Sequence, residues 1–277
     1  MKLGLINSAW FGTPFDGKAG LEETKRIGFD TVDIFADPLE LSDEARRQLV
    51  QNVKSVGLPV PSVVCVALGI ADFNLAPRRF HIDRAKRHLD LAADLGARNL
   101  LLVLGEYLWQ QEVIPPTDQW KTAADAVREV GEYAASKDLE VALELEPFDQ
   151  SLVNTVDKMV SFLDDVNHAA VKANVDCSHL WLMRIDASEI AKLSGRIGHV
   201  HFSDCNGETH GDLPPGRGNT PLKSCLQALK DVGYDGAVSI ELEYSPEPDK
   251  IVEWVTEAYR VSDGLMREVG VRDAVHA

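Results

Sequence analysis

Ser62-Val63-Val64-Cys65-Val66, a helical pattern from Arg79 to Leu95 that stops at Gly96, and Asn99-Leu100-Leu101-Leu102-Val103-Leu104 form the stretch that decides the fold. The two flanking runs are continuously apolar, as expected of parallel strands covered by helices outside and by packed side chains inside. The same alternation extends in both directions to the chain ends. Strands are predicted at Lys2 to Ile6, Thr31 to Phe35, Ser62 to Val66, Asn99 to Leu104, Glu140 to Leu145, Val171 to Val175, Gly198 to Phe202 and Ala237 to Leu242. Helical patterns follow at Gly20 to Ile27, Ser42 to Val56, Arg79 to Leu95, Thr117 to Lys137, Val156 to Val166, Asp186 to Leu193, Pro221 to Val232 and Pro248 to Val269. Eight strand-then-helix units, with no composition shift, linker or charge block between them, predict a single (β/α)8 TIM barrel domain over residues 1–277.

Local signals agree. Ser42, Thr155 and Thr220 each precede a helical pattern as N-caps, the last with Pro221 at the first helical position, and Gly28, Gly57, Gly96, Gly195 and Gly233 read as helix stops. An open doubly wound sheet would call for a Gly-x-Gly-x-x-Gly turn after an early strand, which Gly4, Gly12 and Gly17 do not make.

Composition narrows the partners. With 44 acidic and 28 basic residues the net charge is 28 − 44 = −16, and the absence of any long basic run excludes nucleic acid and anionic membrane surfaces as expected partners. No apolar stretch approaches the ~20 residues that span a bilayer, and the apolar start reaches Asn7 and Ser8 too soon for a signal-peptide core. Cys65, Cys177, Cys205 and Cys225 are scattered without a Cys-x-x-Cys pair, the usage of a reduced, cytoplasmic protein.

In a barrel of this kind catalytic groups sit at the C-terminal strand ends. Strand 5 ends in Glu144-Leu145-Glu146-Pro147, strand 6 in Asp176-Cys177-Ser178-His179, strand 7 in His199-Val200-His201-Phe202-Ser203-Asp204 and strand 8 in Glu241-Leu242-Glu243. Glu146 to Asp176 is 30 residues, Asp176 to His201 is 25 and His201 to Glu241 is 40, so one metal-ligand side chain arrives per strand-helix unit. Neighbouring strand ends, ~4.8 Å apart, can bring such side chains to one ion. Three carboxylates and one imidazole form a hard, oxygen-rich set suited to Mn²⁺, with Mg²⁺ or Co²⁺ as alternatives. Zinc would want more histidine or cysteine. Within the pairs Glu144/Glu146, His199/His201 and Glu241/Glu243 the side chains share a face. Depth favours Glu146 and His201 at the mouth, with Glu144 and His199 deeper, and would favour Glu243 on strand 8, so that pair stays open on physics alone.

Leu145-Glu146-Pro147 with Val153-Asn154-Thr155, Val175-Asp176-x-x-His179, His199 to Asp204, Pro214-Pro215-Gly216-Arg217-Gly218, and Gly233-Tyr234-Asp235-Gly236-x-x-Ser239-Ile240-Glu241 resemble the xylose isomerase-like barrel superfamily. Within it they are most similar to the sugar isomerase/epimerase branch of ketose 3-epimerases and hydroxypyruvate isomerase. The resemblance spans essentially the whole chain and is densest from residue 140 to 243. It implies that Glu146, Asp176, His201 and Glu241 bind one divalent metal, which selects Glu241 over Glu243. It further implies that His179 contacts substrate oxygens, with Arg217 a looser match, and that Glu146 and Glu241 double as the acid/base pair. The implied reaction on a small-molecule sugar is proton transfer beside a carbonyl through a metal-stabilised enediolate.

Departures qualify the match. Ketose 3-epimerases carry a second Glu six residues after the strand 5 ligand, where this chain has Leu152, and Asp149-Gln150 is the nearest polar pair. The loop after strand 4 holds Glu106, Tyr107 and Trp109, with Glu106 and Trp109 expected to contact substrate, and Trp10 and Phe11 are similar candidates after strand 1. The loop Asn206 to Asp212 is acidic where barrels often bind phosphate, which predicts a non-phosphorylated substrate. A lyase or dehydratase acting on a keto-inositol or 3-keto-glycoside is the alternative, and a non-catalytic sugar-binding barrel ranks below it because all four ligands are present. The apurinic endonuclease branch is excluded by the absence of histidine before residue 81 and by the charge. Homo- and hetero-oligomers are both compatible with the sequence.

Overall fold

A computed structural model describes residues 1–104, 114–242 and 247–273. Its first four strands are β1 (Lys2–Ile6), β2 (Thr31–Phe35), β3 (Ser62–Val66) and β4 (Asn99–Val103). The other four are β5 (Glu140–Leu143), β6 (Val171–Asp176), β7 (Ile197–His201) and β8 (Ala237–Ile240). They pair in parallel, in sequence order, and close when β8 returns to β1 with Lys2 opposite Ala237 and Leu5 opposite Ile240. The helices between them are α1 (Lys18–Ile27), α2 (Asp43–Val56), α3 (Leu75–Leu95), α4 (Pro116–Ala135), α5 (Val156–Val166), α6 (Cys177–Leu182), α7 (Leu222–Asp231) and α8 (Ile251–Val269). This is the (β/α)8 barrel the alternation predicts. Among the described residues, no helix is long and apolar enough to cross a membrane.

The main core lies between strands and helices, where residues such as Val63, Leu102 and Val175 meet Leu89, Val127 and Phe162. A separate small cluster of Ile6, Val64 and Leu101 fills the barrel interior, with Phe35 and Val103 against it. Apolar packing thus forms part of the β1–β4 side of the interior, where Asp33 of β2 is also buried, and Asn174, His199 and His201 are buried on the β6–β7 side.

Several elements differ from the sequence reading. In the sixth unit, α6 starts directly after β6 because the Asp176 carboxylate accepts the backbone N–H of His179, and residues Ala187–Leu193 form a 3-10 helix instead of an α-helix. Ser42 and Thr155 cap as expected, accepting from Ala45 and Lys158 N–H, both at 3.2 Å. Thr220 does not: its hydroxyl accepts from Cys205 N–H at 3.1 Å, and Pro221 itself is the cap residue of α7. Gly28 ends α1 in the left-handed region at φ 117°, a conformation that a side chain would strain.

The β6–β7 register matters for function. It passes from Ala173 opposite Ile197 to Asn174 opposite His199, skipping Gly198. This irregularity brings Asn174 level with His199 and Asp176 level with His201.

Candidate active site

Asp176 and His201 end adjacent strands in register, and the other groups gather around them. His201 Nδ1 lies 3.0 Å from Glu241 Oε2 and 3.8 Å from Glu144 Oε2. Ligand atoms of Glu144, Asp176 and His201 all fall within 4.8 Å of one another. A cavity of about 250 Å³ opens over them, lined on its polar side by Glu144, Glu146, His179, His201, His210 and Glu241. Its opposite wall is Phe35, Val64, Val66, Leu68, Leu101 and Val103, from β2, β3, β4 and the loop after β3.

Each polar group is fixed by a neighbour. Asp176 Oδ1 accepts from the Ser178 hydroxyl at 2.8 Å and His179 N–H at 2.9 Å, and Ser203 hydrogen-bonds Ser178 at 3.0 Å. Asn174 donates to Glu144 Oε2 at 2.6 Å, and His179 Nδ1 lies 3.4 Å from Glu144 Oε1. β5 ends at Leu143, two residues earlier than predicted, so Glu144 and Glu146 both lie in the segment that leaves the barrel. Glu144 therefore joins the tight group with Asp176 and His201, although the depth argument gave it a supporting position.

The charges follow from this packing. Burial alone would push the His201 pKa down, but Glu241, Glu144 and Asp176 outweigh it and hold the imidazole up to about 10. His179 is likewise held well above its ordinary value against burial, by Asp176 and Glu144. Asp176 stays below the usual carboxylate range despite complete burial, because His179 and His201 face it. His210 is pushed down by burial and by the charge on His179. His179 Nδ1 donates to the Leu145 carbonyl at 2.7 Å, and its Nε2 lies 2.8 Å from His210 Nε2.

In the group of Glu144, Asp176 and His201, three buried atoms have no hydrogen bond: Glu144 Oε1, Asp176 Oδ2 and His201 Nε2. Buried carboxylates crowded on imidazoles carry unfavourable charge unless a cation compensates. The residues present fit a divalent cation.

Sequence reasoning missed two participants. Asp33 accepts from His199 at 2.7 Å, both buried, and the ligand atoms of Asp33, His199 and His201 lie within 4.8 Å of one another. The available signal was a lone acid in the middle of an apolar strand. His210, on the loop after β7, packs 5.8 Å from Phe148, and nothing in its local sequence marks it.

Other expectations fall elsewhere. Arg217, expected at the substrate, does not line the cavity. Its guanidinium is held by Glu257 at 2.6 Å and lies 4.2 Å over the Trp254 ring, a geometry set by α8. Trp10 is core, with its indole N–H on Thr24 at 2.9 Å. Glu106, Trp109 and Glu243 lie outside the described residues.

The loop after β7 is organised by one buried carboxylate. Asp204 Oδ1 accepts from Cys205 and Thr220 N–H, and Oδ2 from Gly216 and Gly218 N–H, all at 2.9 Å. The Pro214-Pro215-Gly216-Arg217-Gly218 motif is thus a clasp. A Cβ at Gly218 would meet the Cys205 carbonyl at 2.2 Å and Asp204 Oδ1 at 2.4 Å.

Residues 21–260 match the xylose isomerase-like TIM barrel family, and the chain belongs to it. Among curated relatives, D-psicose 3-epimerase of Ruminiclostridium cellulolyticum is 27% identical over 252 residues, covering 87% of this chain and 83% of that protein. L-ribulose-5-phosphate 3-epimerase UlaE of Escherichia coli is 27% identical over 269 residues, covering 92% and 91%. Among solved structures, the IolI protein with a binding zinc atom superposes with a TM-score of 0.83 at 21% identity, covering 97% of this chain and 99% of that one. At that identity the superposition speaks for the fold.

Proposed function

We propose that this protein is a divalent-metal-dependent isomerase or epimerase of a non-phosphorylated keto-sugar, working as one domain over residues 1–277. The observation that carries the reading is that two carboxylates, Glu146 and Glu241, which follow β5 and β8, line one cavity with His201, whose strand holds it in register with Asp176. The names of the two curated relatives, both 3-epimerases, support the same chemistry.

In this reading Glu146, Asp176, His201 and Glu241 hold the cation, with Glu144 beside them. When bound, a divalent cation polarises a substrate carbonyl and so acidifies the neighbouring C–H. Glu146 and Glu241 then exchange the proton: one removes it from carbon and the other returns it on the opposite face, which inverts the centre. Return to the adjacent carbon gives isomerisation. His179 orients the sugar by donating its Nε2–H to a substrate oxygen in place of His210. Among the described residues, no Lys or Arg lines the cavity, which supports a substrate without phosphate. The four free, buried cysteines support a reducing, cytoplasmic setting.

The test is solvent deuterium uptake. Protein loaded with Mn²⁺, Co²⁺, Mg²⁺ or, because IolI holds it, Zn²⁺ is incubated with free ketoses in D₂O and followed by NMR. Exchange beside the carbonyl is expected, abolished by chelation and reduced by several orders of magnitude in Glu146→Gln and Glu241→Gln. Full exchange after chelation refutes the metal requirement, and retention by either variant removes that residue from the pair. Release of water or an aglycone instead of exchange identifies the lyase.

A further inference from the structure

The cavity is sharply divided, and the division says what the substrate carries. Carboxylates and imidazoles, with Phe148 among them, occupy the side built by β5–β8. Among the described residues, the facing wall of Phe35, Val64, Val66, Leu68, Leu101 and Val103 offers carbon alone. This wall continues to the surface at two points. Leu68 lines the cavity and is 43% exposed, and Phe11, 46% exposed, stacks on Phe35 with ring centroids 6.1 Å apart. Among the described residues, the exposed large hydrophobic side chains are Phe11, Leu39, Leu68, Phe73, Leu75 and Phe80. All six follow β1, β2 or β3 or lie in the opening turns of α3, and of them Leu68 lines the cavity and Phe11 stacks on its wall.

A free polyol placed here would turn hydroxyls on its far side toward side chains that, among the described residues, cannot hydrogen-bond them, and each so placed would be desolvated without compensation. One sugar ring can cover such a wall with its C–H face, but the carbon surface runs beyond the cavity through Leu68 and Phe11. Contiguous exposed apolar surface marks a binding site, and here it is continuous with the catalytic cavity.

We propose that the substrate is a keto-sugar bearing an apolar, aryl-sized substituent. The oxygen-rich ring sits on the β5–β8 side, and the substituent lies along β2–β4 and reaches the surface at Leu68 and Phe11. The proposal rests on the keto-sugar reading and names its substrate class.

The experiment compares a methyl and a phenyl 3-keto-glucoside on the metal-loaded protein, by deuterium exchange and by calorimetric binding. Small apolar groups in such pockets discriminate by ~10–200-fold. The phenyl compound is therefore expected to exceed the methyl compound at least about tenfold in kcat/KM for exchange and in affinity. Leu68→Ser and Phe11→Ser, both at exposed positions, are each expected to pull that ratio toward one. A wild-type ratio near one, or a ratio that neither substitution moves, overturns the proposal. Phenyl-selective binding without exchange leaves the proposal standing and removes the catalytic reading, so the two fail separately.

Discussion

Replacing Asp204 by Asn changes one oxygen of a buried carboxylate into an NH₂ group while keeping its shape. In the native loop four backbone N–H groups converge on that carboxylate at 2.9 Å, two on each oxygen. Asparagine satisfies two and turns donors against the other two. A buried donor left unpaired costs ~1–3 kcal/mol, so the variant is expected to lose ~2–6 kcal/mol. Urea unfolding followed by circular dichroism, with the slopes compared, measures the loss. Gly218→Ala strikes the same clasp from the other side, because its Cβ would fall 2.4 Å from Asp204 Oδ1. The two substitutions share one structure, and the double variant is expected to lose less than the sum of the singles. An Asp204→Asn loss below ~1 kcal/mol, with an unchanged slope, would refute the claim that this carboxylate holds the loop.

Further outcomes follow from other groups. His210→Ala removes the imidazole that the substrate is read to displace from His179 Nε2, and is expected to leave kcat/KM for exchange unchanged or raised, with an unchanged unfolding midpoint; a tenfold loss, the worth of ~1.4 kcal/mol, would show that the loop imidazole itself acts on the substrate. The Glu129 carboxyl is held at about 2 by Arg79 and Lys86, against an ordinary value of 4.5. A depressed carboxylate stabilises the fold above its unfolded pKa and loses that contribution as pH falls. Glu129→Gln should thus cost under ~1 kcal/mol at pH 7, and the deficit should vanish between pH 4.5 and 2, whereas a deficit that grows on acidification contradicts the assignment. All four cysteines are free and buried, and burial pushes the Cys65 thiol up to about 12. A thiol reagent at neutral pH should label none in the native protein and all four after unfolding, so stoichiometric native labelling would contradict the burial.

The barrel was legible because its strands carry their burial in their composition: Leu100 to Val103 and Val63 to Val66 need no tertiary information to be read. The site was legible to the extent that it follows strand ends, hence Asp176 and His201. Beyond that, position depends on contacts distant in sequence. Whether Glu144 or Glu146 sits deeper turns on β5 ending at Leu143. Asp33 finds His199 across the barrel, 166 residues away. The Arg217 motif gives no hint of Glu257 and Trp254 on α8, which hold its guanidinium. Thr220 looks like a cap and is one of the residues tied to the β7 loop.

The carbon wall and the charged wall also have an order along the chain. The first is built from residues 35 to 103 and the polar groups of the second from residues 144 to 241, with Phe148 beside them. Under the proposed function, a single genetic crossover between β4 and β5 therefore separates most of the recognition surface from the reactive groups. Chimeras joined there, or diversity confined to the first half, can change which molecule is accepted while the proton-moving groups are inherited whole.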